Sequence, residues 1–393
     1  MQPLRILIGG DTFAPDINGA ARFTERLAAG LVDRGHEVVV AAPAGERIQP
    51  AWLGDAVETI EGRPMRVLRW RSLRWPFHET WRFVWPWHAR RLARRTLDLV
   101  RPDVIHVQSH FVVGRGLIRE ARRRGIRTIG TNHAMPENLL DHTGMPEFVN
   151  RLALKWAWRD VETLFGSVAR VTTPTRRAAE FLERNTRLRD VVVVSNGIDA
   201  SHYRPDFSPR DEIRLLFVGR QDTEKKIDVV VRAFARLDPA LGAHLDLAGH
   251  GDQEPVLRRL AEELGVADRV HQYGAVSDEE LVRLYSRATM FVIASTAELQ
   301  SIATLEALSS GLPVVAADAM ALPHLVQDGV NGWLFPPGDV EAAADRIRRV
   351  LALSPQERRA MQERAIETTR VHSLAHTLDV FEALYAGEEV PAG

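Results

Sequence analysis

The stretch MFVIASTAELQSIATLEALSSGLPVV, residues 290–315, carries the reading of this chain. It opens on an apolar run, Met290–Ala294, bounded as a buried strand is. It closes on Gly311-Leu312-Pro313-Val314-Val315, a glycine stop followed by the next strand. Small and apolar residues of a short helix lie between. Strand, loop, helix and strand in that order form the repeating unit of a parallel α/β sheet. The amides that open such a helix have no partner within it and carry the positive end of its dipole, so they suit a phosphate. Glu298 in the loop and Glu306 in the helix stand eight residues apart. Carboxylates flanking an anion hole can accept hydroxyls on either side of a phosphate, which is what a nucleotide-sugar site needs. Two glutamates at this spacing are common in themselves, and the strand and helix around them give the pair its meaning.

Outward from this stretch the same alternation repeats. In the first half, Leu4–Ile8, Glu37–Ala42, Val104–Val107, Thr128–Thr131, Ala169–Thr172 and Val191–Val194 read as strands, with helical spacing over Ala20–Gly30 and Gly116–Arg124. The pattern restarts after Tyr203-Arg204-Pro205-Asp206-Phe207-Ser208-Pro209-Arg210, a proline-bearing linker. Strands then follow at Ile213–Val218, His244–Ala248, Val270–Tyr273, Phe291–Ala294, Pro313–Ala316 and Gly332–Phe335, with helices at Asp228–Leu237 and Glu254–Leu264. A helix over His372–Ala386 ends the pattern. Such alternation predicts doubly wound parallel sheets with sites at the carboxyl ends of their strands.

Four loops at those strand ends hold chemistry-bearing residues. Gly219-Arg220-Gln221-Asp222-Thr223-Glu224-Lys225-Lys226 offers cations to a diphosphate, or is a solvated charged loop. Gly9–Ala20 is a glycine-bearing strand-to-helix loop, though not the G-x-G-x-x-G of dinucleotide sites. Thr131-Asn132-His133 ends a strand, and His133 is either a packed residue or one that faces a ligand. Ala248-Gly249-His250-Gly251-Asp252 would bring bare backbone close to a ligand.

These motifs, in this order, resemble those of the family-four retaining glycosyltransferases of GT-B fold. The resemblance implies an α/β chain of two Rossmann-like domains with parallel sheets facing across a central cleft. Residues 1–200 would be the acceptor-binding domain, completed by the C-terminal helix within 372–393, and 201–371 the nucleotide-sugar domain. It assigns Glu298 to the hydroxyls of the donor sugar and Glu306 to the ribose. Arg220 and Lys225 fall at its phosphate contacts, and His133 beside the reacting sugar. Those four residues, His133, Glu298, Arg220 and Lys225, are the expected catalytic group. Gly19, Gly249, Gly251, Gln300, Ser301, Ile302, Ala303 and Glu306 would bind the donor, and the amides of Ile302–Thr304 would face its phosphates. Asn18, Asn132, Glu137 and Asn138 are expected at the acceptor. Ser195-Asn196-Gly197-Ile198-Asp199 with Tyr203-Arg204-Pro205 resembles the family's N-G-I-D…F-x-P signature, in which Asn196 and Gly197 are turn residues. The chain departs from the pattern at Lys226 and Ser301, where the family commonly has glycine, and at Leu374, where it often has tryptophan.

Composition narrows the field. The chain has 393 residues, 45% hydrophobic and 26% charged, which fits a globular enzyme of two domains. The absence of cysteine excludes disulfides, thiolate metal sites and cysteine nucleophiles. No apolar run reaches the ~20 residues that span a bilayer, and no N-terminal signal stands out, so a cytoplasmic location is expected. No D-x-D occurs, so no metal and no cofactor beyond the nucleotide sugar is expected, the cations and a helix dipole neutralising the leaving diphosphate.

Although the net charge is only −1, residues 63–95 hold ten arginines, five of the nine tryptophans and one acid, Glu79. Tryptophan favours the bilayer interface and arginine an anionic lipid surface. The run is either a membrane face, with the protein peripheral on the inner side of the cell membrane, or a buried aromatic cluster with solvated arginines. Nucleic acid is not expected, because no nucleic-acid motif accompanies the run. The resulting expectation is transfer of glucose or mannose from a UDP- or GDP-sugar to a membrane lipid, such as diacylglycerol or a phosphatidylinositol-type glycolipid. A segment close to the E-T-Q-G-L of diacylglycerol glucosyltransferases points the same way. Three rivals stand beside it: a GT-B nucleotide-sugar epimerase, a glycosyltransferase with a soluble acceptor, and a binding protein without activity.

Overall fold

The backbone alternates as the apolar runs dictate. The computed structural model describes residues 2–16, 18–45, 52–74, 82–133, 147–203, 205–388 and 390, the side chains of 147 and 148 excepted. It divides into two units, Met1–Gly197 with Leu374–Gly393, and Ile198–Ser373.

The first unit contains β1 (Arg5–Gly9), β2 (Glu37–Pro43), β3 (Leu53–Ile60), β4 (Arg63–Trp70), β5 (Ser72–Arg74), β6 (Arg82–Val84), β7 (Val104–Val107), β8 (Arg127–Thr131), β9 (Arg170–Thr173) and β10 (Val192–Val193). Eight of these form one sheet in the order 10-9-8-7-1-2-4-3, parallel except for β3 against β4. Alternation along β1 sends Ile6 and Ile8 to one face and Leu7 to the other. Ile6 and Ile8 meet Phe23, Leu27 and Leu31 of the helix Gly19–Asp33 and Phe381 and Leu384 of the helix Leu374–Ala386. On the opposite face Leu7 joins Leu92 and Leu97 of Pro86–Val100, Leu117 of Val112–Arg124 and Phe165 of Glu147–Phe165. The C-terminal helix is also tied down by polar bonds. The Thr377 hydroxyl donates to the carbonyl of Ser195 at 2.9 Å, and the Tyr385 hydroxyl lies 2.8 Å from His106 Nδ1.

The run 63–95 resolves into parts with different fates. Its first eight residues are β4, where Trp70 is fully buried with its indole N–H on the Thr96 hydroxyl at 3.1 Å. Arg63, Arg66 and Arg69 each pair with a carboxylate, of Asp33, Asp55 and Glu58 respectively. These residues serve the sheet, so the expected membrane face does not extend over the whole run. Trp75 and Trp81 lie outside the described residues. In Pro86–Val100, by contrast, apolar residues point inward at helical spacing, while Trp87, Arg90, Arg91, Arg94 and Arg95 are exposed.

The second unit contains β11 (Arg214–Val218), β12 (His244–Ala248), β13 (Val270–Gly274), β14 (Met290–Ile293), β15 (Val314–Ala317) and β16 (Gly332–Phe335). All are parallel, in the order 13-12-11-14-15-16. β14 is buried throughout, which is why its sequence is a continuous apolar run rather than an alternating one.

Candidate functional site

The strand order of the second unit reverses between β11 and β14. In open α/β sheets the ligand crevice lies at the carboxyl ends of the strands where the order reverses, because the following helices depart to opposite faces there. The two loops at that place are Gly219–Lys226 and Ala294–Ser301, the same two that carry the predicted cations and Glu298. They are bonded to each other. The Thr296 amide donates to the Glu224 carbonyl at 3.2 Å, and Lys225 Nζ reaches Glu298 Oε1 at 2.6 Å. Both partners of that ion pair are largely buried, at 16% and 13% side-chain exposure, so solvent screens it little.

Arg220 pairs within its own loop, with Asp222 and with Glu224 Oε1 at 3.0 Å. Its guanidinium is thereby held on the loop that follows β11. Lys226 takes a left-handed backbone, φ 50°, a conformation that favours glycine. A side chain there costs about 1 kcal/mol.

Ser301 caps the helix Ile302–Ser309. Its hydroxyl oxygen accepts the Thr304 amide at 3.2 Å and the Thr304 hydroxyl at 2.8 Å. Of the three amides expected to face a phosphate, Thr304 is therefore already engaged by the serine that replaces the family's glycine. Ile302 and Ala303, in the first turn, have no acceptor within the helix. Gln300 and Ser301 are buried beside them. One turn on, Glu306 is buried, and the hydroxyl of Tyr285 donates to its Oε2 at 3.0 Å. Sequence reasoning missed Tyr285, which lies on the helix Asp278–Arg287 and has no motif to mark it.

Gly249 and Gly251 are needed for reasons that involve the protein itself. A Cβ on Gly249 would stand 2.0 Å from the Gly219 carbonyl oxygen, and one on Gly251 would stand 2.3 Å from that of Gln221. The loop after β12 thus lies directly against the cation loop. The Gln221 side chain, fully buried, seals the contact by donating from Nε2 to the Gly249 carbonyl at 2.7 Å.

The first unit holds its own group, also where its strand order reverses, at β1 and β7. Asp11, after β1, accepts the Val113 amide at 2.8 Å and a hydrogen bond from the Ser109 hydroxyl. Burial pushes its carboxyl upward against those bonds. His133, after β8, packs its ring at 5.0 Å from that of Phe23, and its Nε2 is 2.8 Å from Gln108 Oε1. Loss of hydration pushes His133 down to about 3, so the ring is neutral at physiological pH. Gln108, directly after β7, was not singled out in the sequence, although its place at a strand end was a signal. Asn18 is the N-cap of the helix that Gly19 opens, its side chain accepting the Ala21 amide at 3.0 Å. Asn132 is buried and bonded through its backbone to Thr172 at 2.9 Å. Glu137 and Asn138 lie outside the described residues. Among the described residues no group of three or more His, Asp or Glu side chains is arranged to hold a metal ion, and no helix is long and apolar enough to cross a membrane.

Comparison with known proteins extends over both units. Residues 17–202 match the model described as Glycosyltransferase Family 4, and residues 202–368 the model described as Glycosyl transferases group 1. A D-inositol 3-phosphate glycosyltransferase of Frankia alni is 30% identical over 66% of this chain and 70% of its own length. That of Mycolicibacterium smegmatis is 34% identical over 49% of this chain, which spans only 46% of that relative. An alpha-monoglucosyldiacylglycerol synthase of Streptococcus pneumoniae is 25% identical over 93% of this chain and 82% of its own. Among solved structures, a sucrose-phosphate synthase of Thermosynechococcus elongatus superposes with a TM-score of 0.78 at 20% identity, covering 97% of this chain and 98% of the other. Anabaena HepE, in complex with UDP and glucose, gives 0.75 at 17% identity, covering 98% and 99%. The fold is GT-B.

Proposed function

We propose that this chain, which belongs to glycosyltransferase family 4, moves a hexose from a nucleotide sugar to an acceptor with retention of anomeric configuration. One observation carries the reading: Arg220, Lys225, Glu298 and the first amides of Ile302–Ser309 all lie on two bonded loops at the strand reversal of one sheet. Cations and amides fixed in advance stabilise the charge that develops on a departing diphosphate, at no cost of reorganisation. They do so without a metal. Glu298 and His133 would orient the sugar, and Glu306 would accept the ribose hydroxyls. The acceptor oxygen bonds to the anomeric carbon on the face from which the diphosphate leaves, and the acceptor proton passes to the departing phosphate oxygen. The structure of HepE with UDP and glucose supports a UDP-hexose donor, GDP-hexose being the other candidate.

For the acceptor we favour a membrane lipid. The pneumococcal relative is a diacylglycerol glycolipid enzyme by name, and Pro86–Val100 presents Trp87 and four exposed arginines to solvent. The protein would work at the inner face of the membrane. The inositol-phosphate relatives favour a second reading, a soluble phosphorylated cyclitol as acceptor.

The test is turnover of UDP-glucose, UDP-galactose and GDP-mannose with diacylglycerol in mixed vesicles, with phosphatidylinositol vesicles, and with free inositol phosphate. Assays run with and without EDTA, and the product anomer is assigned by NMR. Product in a vesicle arm, with an axial linkage and no EDTA effect, is the expected result. Release of nucleotide independent of every acceptor, or an inverted product, would overturn the reading. Product only with inositol phosphate would replace the lipid by the soluble acceptor.

A further inference from the structure

Gln108 is 3% exposed and stands immediately after β7, its amide N–H on the Gly9 carbonyl at 2.8 Å. Its backbone is therefore anchored at the strand reversal of the first unit. The side chain makes one hydrogen bond, Oε1 to His133 Nε2 at 2.8 Å, while its own Nε2 is buried with no partner among the described residues. A buried amide end without a partner is costly, and each such group in a native structure calls for an explanation. Here the other end of the same amide holds one imidazole.

We propose that Gln108 is a positioning residue that holds His133 in a single neutral tautomer, protonated at Nε2, so that Nδ1 is presented as a hydrogen-bond acceptor to a substrate hydroxyl. The chemistry is restrictive. A carbonyl oxygen only accepts, so the hydrogen between the two side chains belongs to His133. A neutral imidazole carries one N–H, and with that hydrogen committed to Gln108 the other nitrogen has only its lone pair to offer. Phe23 packs against the same ring at 5.0 Å and supports its placement. An acceptor in that place recognises a hydroxyl and leaves a deoxy or fluoro sugar unpaired. Gln108 would thus set the specificity of the proposed transfer through His133, and the inference rests on that reading.

The test combines NMR with kinetics on the full-length chain. In protein labelled with 15N-histidine, the His133 nitrogens, assigned with a His133→Gln variant, should show the Nε2–H pattern from pH 6 to pH 8. In Gln108→Leu that pattern should shift toward a mixture of tautomers, and kcat should fall roughly ten- to a hundredfold while UDP still raises the melting temperature as in wild type. In Gln108→Glu the carboxylate also accepts from Nε2, so the tautomer stays. It favours the imidazolium, so the acid limb of the kcat profile should move to higher pH. If the Gln108→Leu variant does not fold, Gln108→Asn, too short to reach, serves in its place. An Nδ1–H tautomer in the wild type would overturn the inference, as would unchanged tautomer and kcat in Gln108→Leu. The tautomer is read without turnover, so a correct tautomer in a protein that transfers no sugar condemns the transferase reading instead.

Discussion

Lys225 Nζ lies 2.6 Å from Glu298 Oε1, joining the loop after β11 to the loop after β14 across seventy-three residues of sequence. The bond uses one of three ammonium hydrogens and one of two carboxylate oxygens. Each residue keeps capacity for a ligand, and each holds the other in place. Lys225→Ala should lower kcat by about 10²–10³, the scale of losing one electrostatic donor in an enzyme site. Glu298→Gln should fall in a similar range. Because each also frees the other, the double variant should lose less than the product of the two, as partners in contact do. Strict multiplicativity in steady-state kinetics would dissolve the coupling.

Tyr285 and Glu306 form a second such pair, at 3.0 Å and wholly buried. Tyr285→Phe keeps the ring packed against Tyr203 and Phe291 but removes the hydroxyl that holds one carboxylate oxygen. The expected effect is a rise in KM for the donor equivalent to about 1–2 kcal/mol, with kcat changed much less. An unaltered KM would mean that Glu306 needs no such support.

Gly249→Ala would drive a methyl group to 2.0 Å from a carbonyl oxygen at φ 123°, and the cation loop would have to move. We expect a loss of about 3 kcal/mol or more and a lowered melting temperature. Gly242, at φ 58° with nothing within 4 Å of its would-be Cβ, is the control. There Ala should cost only about 1–2 kcal/mol, for the backbone alone. Equal losses at the two positions would contradict the packing of the two loops.

Vesicle binding should separate the two halves of the arginine run. Changing Arg90, Arg91, Arg94 and Arg95 to Ser together should weaken co-sedimentation with anionic vesicles by about 1 kcal/mol per residue removed. Arg63→Ser and Arg66→Ser should leave it unchanged, because those side chains are paired with Asp33 and Asp55. If the strand arginines mattered as much as the helix arginines, the lipid face would be misplaced.

Acid should destabilise the chain through its buried histidines. Burial pushes His106 and His133 down to about 3 and His110 to about 4, against about 6.5 unfolded. Between those values the unfolded chain binds more protons than the folded one, so stability falls as pH drops from about 6.5 toward 3. Glu25 works in the opposite sense. Burial lifts it to about 7, so its contribution is complete below its ordinary value and is lost as pH rises through 7. The melting temperature should accordingly be lower at pH 5 than at pH 7. A higher value at pH 5 would mean that the histidines are hydrated in the folded chain.

Much of this molecule was legible before any coordinate. Apolar runs such as Met290–Ile293 and Val314–Ala317 mark buried strands, because a parallel strand covered on both faces has little choice but apolar residues. The order of the motifs indicated the family, and resemblance to its motifs singled out Arg220, Lys225, Glu298 and Glu306. Strands β3, β5 and β6 were not foreseen, and β4 was hidden inside an arginine run that suggested a surface. Its arginines face carboxylates from distant segments, which no local pattern reveals.

Tertiary structure alone decided who touches whom. The sheet order 13-12-11-14-15-16 sets β11 beside β14, and only that neighbourhood brings Lys225 to Glu298. It likewise puts Gly249 against Gly219, while helix packing places Tyr285 under Glu306 and the order 7-1 sets Gln108 on Gly9. Periodicity and turn chemistry act over a few residues, and a sequence states them directly. Side-chain partners across a sheet depend on which strands pair, a choice made by the packing of the whole core, and so they wait for the fold.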